Sequence, residues 1–352
     1  MSDVQHQLTR LEINVTSKCN ANCVYCANDL KLTEQSKNDT LPLEKIIELI
    51  DRVKPEIINF TGGEPTLQWE LLLQYIKEVS CRGIVVQLDT HALNLSREQI
   101  DTLIAAGVTR FHISYSTLSS NFTELRGVPY VRFETLENNI RYISDLEGVD
   151  CLCECILHND NHQDIQAIYE RCSSLGADEF QVQPLMPAGK ADLSMMLPPQ
   201  KLAKILKNLF RLQKAKTPIK VWCSYVTRCS KYSDMIYVPR QQGATGVIKG
   251  ITGLESGCQE GWSRLHVHNN GDVIVCDITN AGPPIGNIYD SDILEIYHNN
   301  PFLKQLRKEY PQECAQCEDW DNCHDVCPVF MTNLNDETRR RFKDWLNENL
   351  KT

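Results

Sequence analysis

Across residues 11–184 the chain alternates short apolar runs with amphipathic stretches of helical period, and this alternation constrains the fold more than any other feature. The strand-like runs are residues 11–16, 56–61, 84–89, 110–115, 151–157 and 179–184. Helical patterns fall between them at 43–53, 69–81, 96–106, 133–146 and 162–175. Ser96 followed by Gln99 has the form of a capping box, and Gly107 and Gly176 stand where helix C-caps are expected. A helix between successive strands makes each crossover long enough for parallel pairing, and right-handed crossovers repeated six times give a curved, parallel α/β sheet.

The chemistry-bearing residues follow the first two runs. Cys19, Cys23 and Cys26 come directly after the first. Three thiolates spaced C-x3-C-x2-C can close on three corners of a cubane iron–sulfur cluster, which leaves the fourth iron open to a small molecule. A structural zinc site or a structural cluster wants four ligands. Spacing alone leaves two alternatives: a zinc knuckle with a distant fourth ligand, or three unrelated core cysteines. Thr61-Gly62-Gly63-Glu64-Pro65 follows the second run. Its glycines let the backbone pass close to a ligand, and Glu64 offers an acceptor to a cationic amine.

Together these motifs resemble the radical S-adenosylmethionine (radical SAM) superfamily. The resemblance implies a [4Fe-4S] cluster whose open iron is chelated by the amino and carboxylate groups of SAM. Reduction then cleaves SAM to methionine and a 5′-deoxyadenosyl radical, which takes hydrogen from a substrate. It implies a partial (β/α)6 TIM-like barrel, with cluster and SAM at the C-terminal ends of the strands, where barrel chemistry generally sits. Gly62, Gly63 and Glu64 match the family's SAM motif. Ser114 matches the fourth-strand serine near the SAM carboxylate, Arg126 an arginine able to pair with a carboxylate, and Tyr25 an aromatic near adenine. The family often has Thr-Asn-Gly after the third strand; this chain has Thr90-His91-Ala92. His91 is a candidate acid/base or substrate ligand, with a plain loop histidine as the alternative. Cys151, Cys153 and Cys155 share one strand face, either as a hydrogen-atom donor inside the barrel or as small apolar filler.

Pro187-Ala-Gly-Lys-Ala191 resembles the exit from the barrel in radical SAM enzymes that carry a C-terminal cluster domain. A bridging helix is expected at 202–212, a strand at 219–225 and a glycine-rich loop at 240–257. Cys258 and Cys276, then Cys314, Cys317, Cys323 and Cys327, resemble the SPASM signature for auxiliary iron–sulfur clusters, with a hairpin turn at Asn269-Asn-Gly-Asp272 between the first two. SPASM usually adds a seventh cysteine after the last pair, and none follows Cys327. The resemblance assigns Cys258, Cys276 and Cys327 to an inner cluster and Cys314, Cys317 and Cys323 to an outer one. Cys223 or Cys229 could complete the first; Asp319, Asp321, His324 or Asp325 could complete the second. The rival is one cluster on Cys258, Cys276, Cys314 and Cys317, as in the shorter twitch domains. Asp277 matches an aspartate that serves as the proposed base in sulfatase-maturating enzymes. The expected domains are a barrel over 1–192, a bridge over 193–254, a SPASM domain over 255–330 and a C-terminal helix over 331–352.

Composition excludes several other classes. The 352 residues are 42% hydrophobic and 23% charged, as in a soluble globular protein, and the net charge of −10 argues against a nucleic-acid groove. No run approaches the length of a membrane span and the N-terminus lacks the form of a signal peptide. Sixteen cysteines in clusters then favour metal ligation in a reducing cytoplasm. The leading expectation is an oxidoreductase or maturase that abstracts hydrogen from a peptide or protein side chain, leading to oxidation or cross-linking. It would draw electrons from a flavodoxin- or ferredoxin-type reductant. The ten residues before Leu11 leave no room for a leader-binding domain, which weakens that reading without removing it, since a separate leader-binding partner could take its place. The rivals are an oxidase or epimerase of a sugar, aminocyclitol or antibiotic intermediate, and a cluster scaffold or electron carrier that does not cleave SAM.

Overall fold

The computed structural model describes residues 7–27, 40–221, 259–276 and 284–308, together with Arg341, Asp344, Trp345, Glu348 and Asn349. In chain order the elements are β1 (Arg10–Thr16), α1 (Leu43–Val53), β2 (Ile57–Gly62), α2 (Trp69–Ser80), β3 (Val85–Thr90), α3 (Arg97–Ala106) and β4 (Val108–Ser114). There follow α4 (Phe122–Arg126), α5 (Val131–Ser144), β5 (Asp150–Leu157), α6 (Ile165–Ser174), β6 (Glu179–Pro184), α7 (Pro199–Arg211) and β7 (Ile219–Val221). The later elements are β8 (Arg264–Val267), β9 (Asp272–Ile274), β10 (Gly286–Asn287), α8 (Ile293–Asn299) and α9 (Pro301–Lys308). Local sequence explains the helix ends. Ser96 and Gln99 form the reciprocal capping box on α3, and Gly107, at φ 125°, closes its other end.

Strands β1 to β6 lie side by side in sequence order, all parallel, as the alternation requires. The result is a partial (β/α)6 barrel, and the sheet runs past it on both sides. β7 pairs in parallel with β6, and β8 pairs in parallel with β1 (Arg10 opposite Arg264, Ile13 opposite Val267). β9 then turns back antiparallel to β8 across the expected Asn-Asn-Gly-Asp turn. The sheet therefore crosses the boundaries drawn from sequence at 192 and 255, since the partner of each edge strand is set by long-range pairing and leaves no periodic mark.

The two faces of the sheet differ in chemistry. Ile58, Phe60, Phe111, Ile113, Phe180 and Val182 are buried on the face that meets the helices. There Tyr75 of α2 stacks on Phe60 at 5.8 Å and Tyr169 of α6 packs on Phe180 at 5.4 Å. Truncating a buried ring such as Phe60 costs about 3–5 kcal/mol. The alternate residues, including Glu12, Asn59, Asp89, His112 and Glu154, form the polar inner face. Among the described residues no helix is long and apolar enough to cross a membrane.

Candidate active site

The cysteine loop leaves the C-terminal end of β1, and the glycine motif leaves the adjacent end of β2. Gly63 N–H donates to Thr16 O and Glu64 N–H to Lys18 O, both at 2.8 Å. A Cβ on Gly63 would lie 2.2 Å from Lys18 O, and one on Gly62 would lie 2.5 Å from Thr16 O at an already left-handed φ of 138°. The close approach that demands glycine is thus to the backbone of the cysteine loop, where the sequence suggested a ligand. The far end of the loop is tied equally well. Asn22 N–H donates to Arg126 O (2.9 Å), Val24 N–H to Leu125 O (3.0 Å), and Lys190 N–H to Cys26 O (2.9 Å). The Pro-Ala-Gly-Lys exit sequence therefore closes back on the last cysteine.

Cys19, Cys23 and Cys26 are half-buried free thiols on this loop. Burial pushes the Cys19 thiol up to about 11, and the nearby charges of Glu64, Cys23 and Cys26 add to it. Among the described residues no three His, Cys, Asp or Glu side chains are gathered as ligands of a single ion. A cubane asks for a wider triangle, because each thiolate sits on its own iron. Three accessible, unoxidised thiols on one pinned loop are a donor set that fits such a cluster.

Glu64 is 1% exposed, and its carboxylate faces inward. Oε1 accepts from Thr66 Oγ1 (2.6 Å) and Thr90 Oγ1 (2.8 Å), and Oε2 from His91 N–H (3.0 Å). Thr90 and Thr66 were not singled out in the sequence. On the other side, Arg126 donates from Nη1 to Ser114 Oγ (2.7 Å) and to Tyr25 Oη (3.1 Å). Burial opposes its charge, but Tyr25 and Cys23 outweigh that and hold the Arg126 pKa above its ordinary value. Its Nε is buried with no hydrogen-bond partner, an orphan donor that a ligand carboxylate would satisfy. Tyr25 also packs 5.1 Å from the ring of His158, which burial holds down at about 4 despite Asp160. The structure thus brings Tyr25, Ser114 and Arg126 into one cluster, and Gly62, Gly63, Glu64 and His91 into another, on either side of the cysteine loop.

His91 does not project freely as an acid/base. Its ring is 7% exposed, with Nε2 2.6 Å from Asn20 Oδ1 and Nδ1 accepting from Leu93 N–H at 3.1 Å. Burial lowers its pKa although Glu64 pulls the other way. The neutral ring with hydrogen on Nε2 satisfies both bonds. Cys151, Cys153 and Cys155 point to the helical side, where Cys151 lies 3.9 Å from Ile140 O of α5, so they are packing residues and not donors inside the barrel. Cys276 is buried just beyond β9. Cys258, Cys314, Cys317, Cys323, Cys327 and Asp277 lie outside the described residues, as do Cys223 and Cys229, Asp319, Asp321, His324 and Asp325.

Below the cysteine loop the inner face carries a hydrogen-bonded belt. Asn59 donates to Glu12 and to Asp89 (2.8 Å), Gln87 donates to Asp89 (2.9 Å), and His112 Nδ1 lies 3.1 Å from Asp89. His112 Nε2 looks toward Glu154 at 3.9 Å. Burial alone would lower the His112 pKa, but Asp89 and Glu154 outweigh it and raise it to about 9. Burial and Asp89 raise Glu154 in turn, against the pull of His112. His112 stands two residues before Ser114 on the same face, about 7 Å deeper in the barrel. The polar alternation within β4 and β5, His112 with Ser114 and Glu154 between two cysteines, was the available signal for it.

Comparison with known proteins agrees with this layout. The family model of the radical SAM superfamily matches residues 13–172, and that of the SPASM iron–sulfur cluster-binding domain matches 258–319. An AdoMet-dependent heme synthase of Oleidesulfovibrio alaskensis is 25% identical over 323 residues, covering 89% of this chain and 80% of its own. A PqqA peptide cyclase of Bradyrhizobium diazoefficiens is 24% identical over 48% of this chain and 44% of its own. The crystal structure of Streptococcus suis SuiB bound to S-adenosylmethionine shares the fold, with a TM-score of 0.67 at 16% identity over 95% of this chain and 78% of that one. Residues 13–172 are thus recognised as a radical SAM superfamily domain, followed at 258–319 by a SPASM-type iron–sulfur cluster-binding domain.

Proposed function

We propose that the protein abstracts hydrogen from a peptide or protein side chain in a SAM-dependent oxidation or cross-linking reaction. Cys19, Cys23 and Cys26 hold the cluster, Glu64 receives the SAM amino group, and Arg126 with Ser114 receives its carboxylate. Tyr25 lines the same side. When bound, the reduced cluster and SAM supply a 5′-deoxyadenosyl radical that can take hydrogen from an unactivated carbon. The observation that carries this reading is the pairing of an open-cornered thiol loop with a buried arginine whose Nε lacks a partner. The polar belt from Glu12 to Glu154 favours a substrate with polar groups at the reacting end, since an apolar one would strip these residues of solvent without replacing its hydrogen bonds. Asp277, next to Cys276, is the candidate base for a substrate proton, and the cysteines from Cys258 to Cys327 hold one or two auxiliary clusters. A flavodoxin- or ferredoxin-type reductant and, for a peptide, a separate leader-binding protein complete the system.

A second reading has support of its own. The heme synthase matches nearly the whole chain, whereas the peptide cyclase matches about half of it. That favours a small-molecule substrate, heme synthesis included.

Anaerobic reconstitution of the protein and of a variant with Cys19, Cys23 and Cys26 changed to Ala tests the core of the proposal. About twelve irons falling to about eight indicates one SAM cluster and two auxiliary clusters; about eight falling to about four indicates a single auxiliary cluster. Unchanged iron in the variant refutes the assignment. Stimulation of 5′-deoxyadenosine release by a peptide fraction or by a low-molecular-mass fraction of cell extract separates the two substrate readings.

A further inference from the structure

The cysteine loop is fastened at its start by Thr16 and Lys18 and at its end by Asn22, Val24 and Cys26. Its middle, residues 19–21, carries the first ligating cysteine and the approach to the second. Among the described hydrogen bonds, the one tie from residues 19–21 to the rest of the fold is His91 Nε2 to Asn20 Oδ1, at 2.6 Å. The same histidine gives its backbone N–H to Glu64 Oε2 at 3.0 Å. One residue thus touches both the loop between Cys19 and Cys23 and the carboxylate proposed to receive SAM.

His91 is itself over-determined. Leu93 N–H donates to Nδ1 at 3.1 Å, Glu64 Oε2 lies 3.2 Å from the same atom, and with Nδ1 as the acceptor the hydrogen on Nε2 points at Asn20. The next residue, Ala92, is fully buried in the left-handed region at φ 52°, a conformation that disfavours any side chain. Asn139 of α5 donates to Ala92 O and Leu95 O, both at 2.9 Å, and so clamps the turn that aims the ring. A loop histidine without a task needs neither the strained neighbour nor the clamp.

We propose that His91 is a positioning residue that sets the Cys19–Cys23 segment in register with Glu64, so that the open iron and the SAM amino group meet. The proposal rests on the functional reading above and deepens it. It concerns ligand geometry and not proton transfer, so it holds with the ring neutral throughout.

Two substitutions separate the bonds of the ring. His91→Gln places an amide N–H near the position of Nε2 and keeps the tie to Asn20. His91→Asn places an oxygen near Nδ1, keeps the Leu93 bond and loses Asn20. Asn20→Ala removes the same tie from an exposed position and leaves the core intact. Each full-length protein is reconstituted anaerobically, iron and sulfide are counted, SAM affinity is measured by equilibrium binding, and the spectrum of the reduced cluster is recorded with and without SAM. Loss of this part-buried hydrogen bond is expected to weaken SAM binding roughly tenfold in His91→Asn and in Asn20→Ala, and to diminish the SAM-induced spectral change, with iron content retained. His91→Gln should stay near wild type. Equal losses in His91→Asn and His91→Gln, or wild-type behaviour in Asn20→Ala, overturn the proposal. A wild-type protein whose cluster spectrum ignores SAM overturns the functional reading itself, a distinct failure seen before any variant is made.

Discussion

Gly63→Ala tests whether the glycine motif exists to let two backbones meet. The new Cβ would lie 2.2 Å from Lys18 O and 2.6 Å from Lys18 C, and neither belongs to a side chain that can swing aside. Restoring ordinary contact requires the two segments to part by about 1 Å. That stretches both 2.8 Å bonds, Gly63 N–H to Thr16 O and Glu64 N–H to Lys18 O, beyond hydrogen-bonding range. Two backbone bonds at about 1 kcal/mol each and an overpacking cost of about 1–3 kcal/mol give about 3–5 kcal/mol of lost stability. Gly148→Ala is the control: φ is 77° but nothing lies within 4 Å of the added Cβ, so only the backbone strain of about 1–2 kcal/mol applies. Equilibrium denaturation of the cluster-free chains measures both, and SAM binding by the loaded proteins reports the displacement of Glu64. Equal destabilisation of the two variants, or full SAM affinity in Gly63→Ala, would refute the argument.

Three further outcomes follow from particular contacts. His112, raised from 6.5 to about 9, contributes stability that is fully present below pH 6.5 and is lost as pH rises through about 9; NMR titration should find its folded-state pKa there, and Asp89→Asn should bring it down sharply. Ala92→Gly should lie within about 1 kcal/mol of wild type, since relief of the left-handed strain offsets chain entropy, whereas a β-branched Ala92→Val should cost several-fold more in the same denaturation assay. Cys153→Ala should lower stability by about 1 kcal/mol and leave SAM cleavage unchanged, because the thiol packs beneath the helices; loss of cleavage in a folded variant would return it to the chemistry.

The barrel strands were legible because each is a local run bounded by a local helix, and the observed β6, Glu179–Pro184, coincides with the run read at 179–184. The site cysteines and Glu64 were legible because their spacing is itself the signal. The partners of those residues were not. Thr90 becomes a neighbour of Glu64, and Asn20 of His91, only when loops from three strand ends converge, and the polar belt depends on inter-strand register. Ser114 and Arg126 show the intermediate case, named from position but joined by a hydrogen bond that only the fold reveals. The cysteines of β5 were read correctly as sharing a face; which face follows from the helix laid over it.

Pairing between β1 and β8 gives this protein an order of assembly. Residues 10–13 meet β2 soon after emerging from a ribosome, but their other neighbour, residues 264–267, arrives only after most of the chain has been made. Until then β1 presents an unpaired edge, open to strands of other nascent chains. A truncation before residue 264 is therefore expected to aggregate. The cysteine loop hangs from that same strand, and Ser17 Oγ reaches Asn269 Oδ1 of the late hairpin at 3.2 Å. Metallation is thus best timed as a finishing step, after the tail of the polypeptide has closed the seam that its head left open.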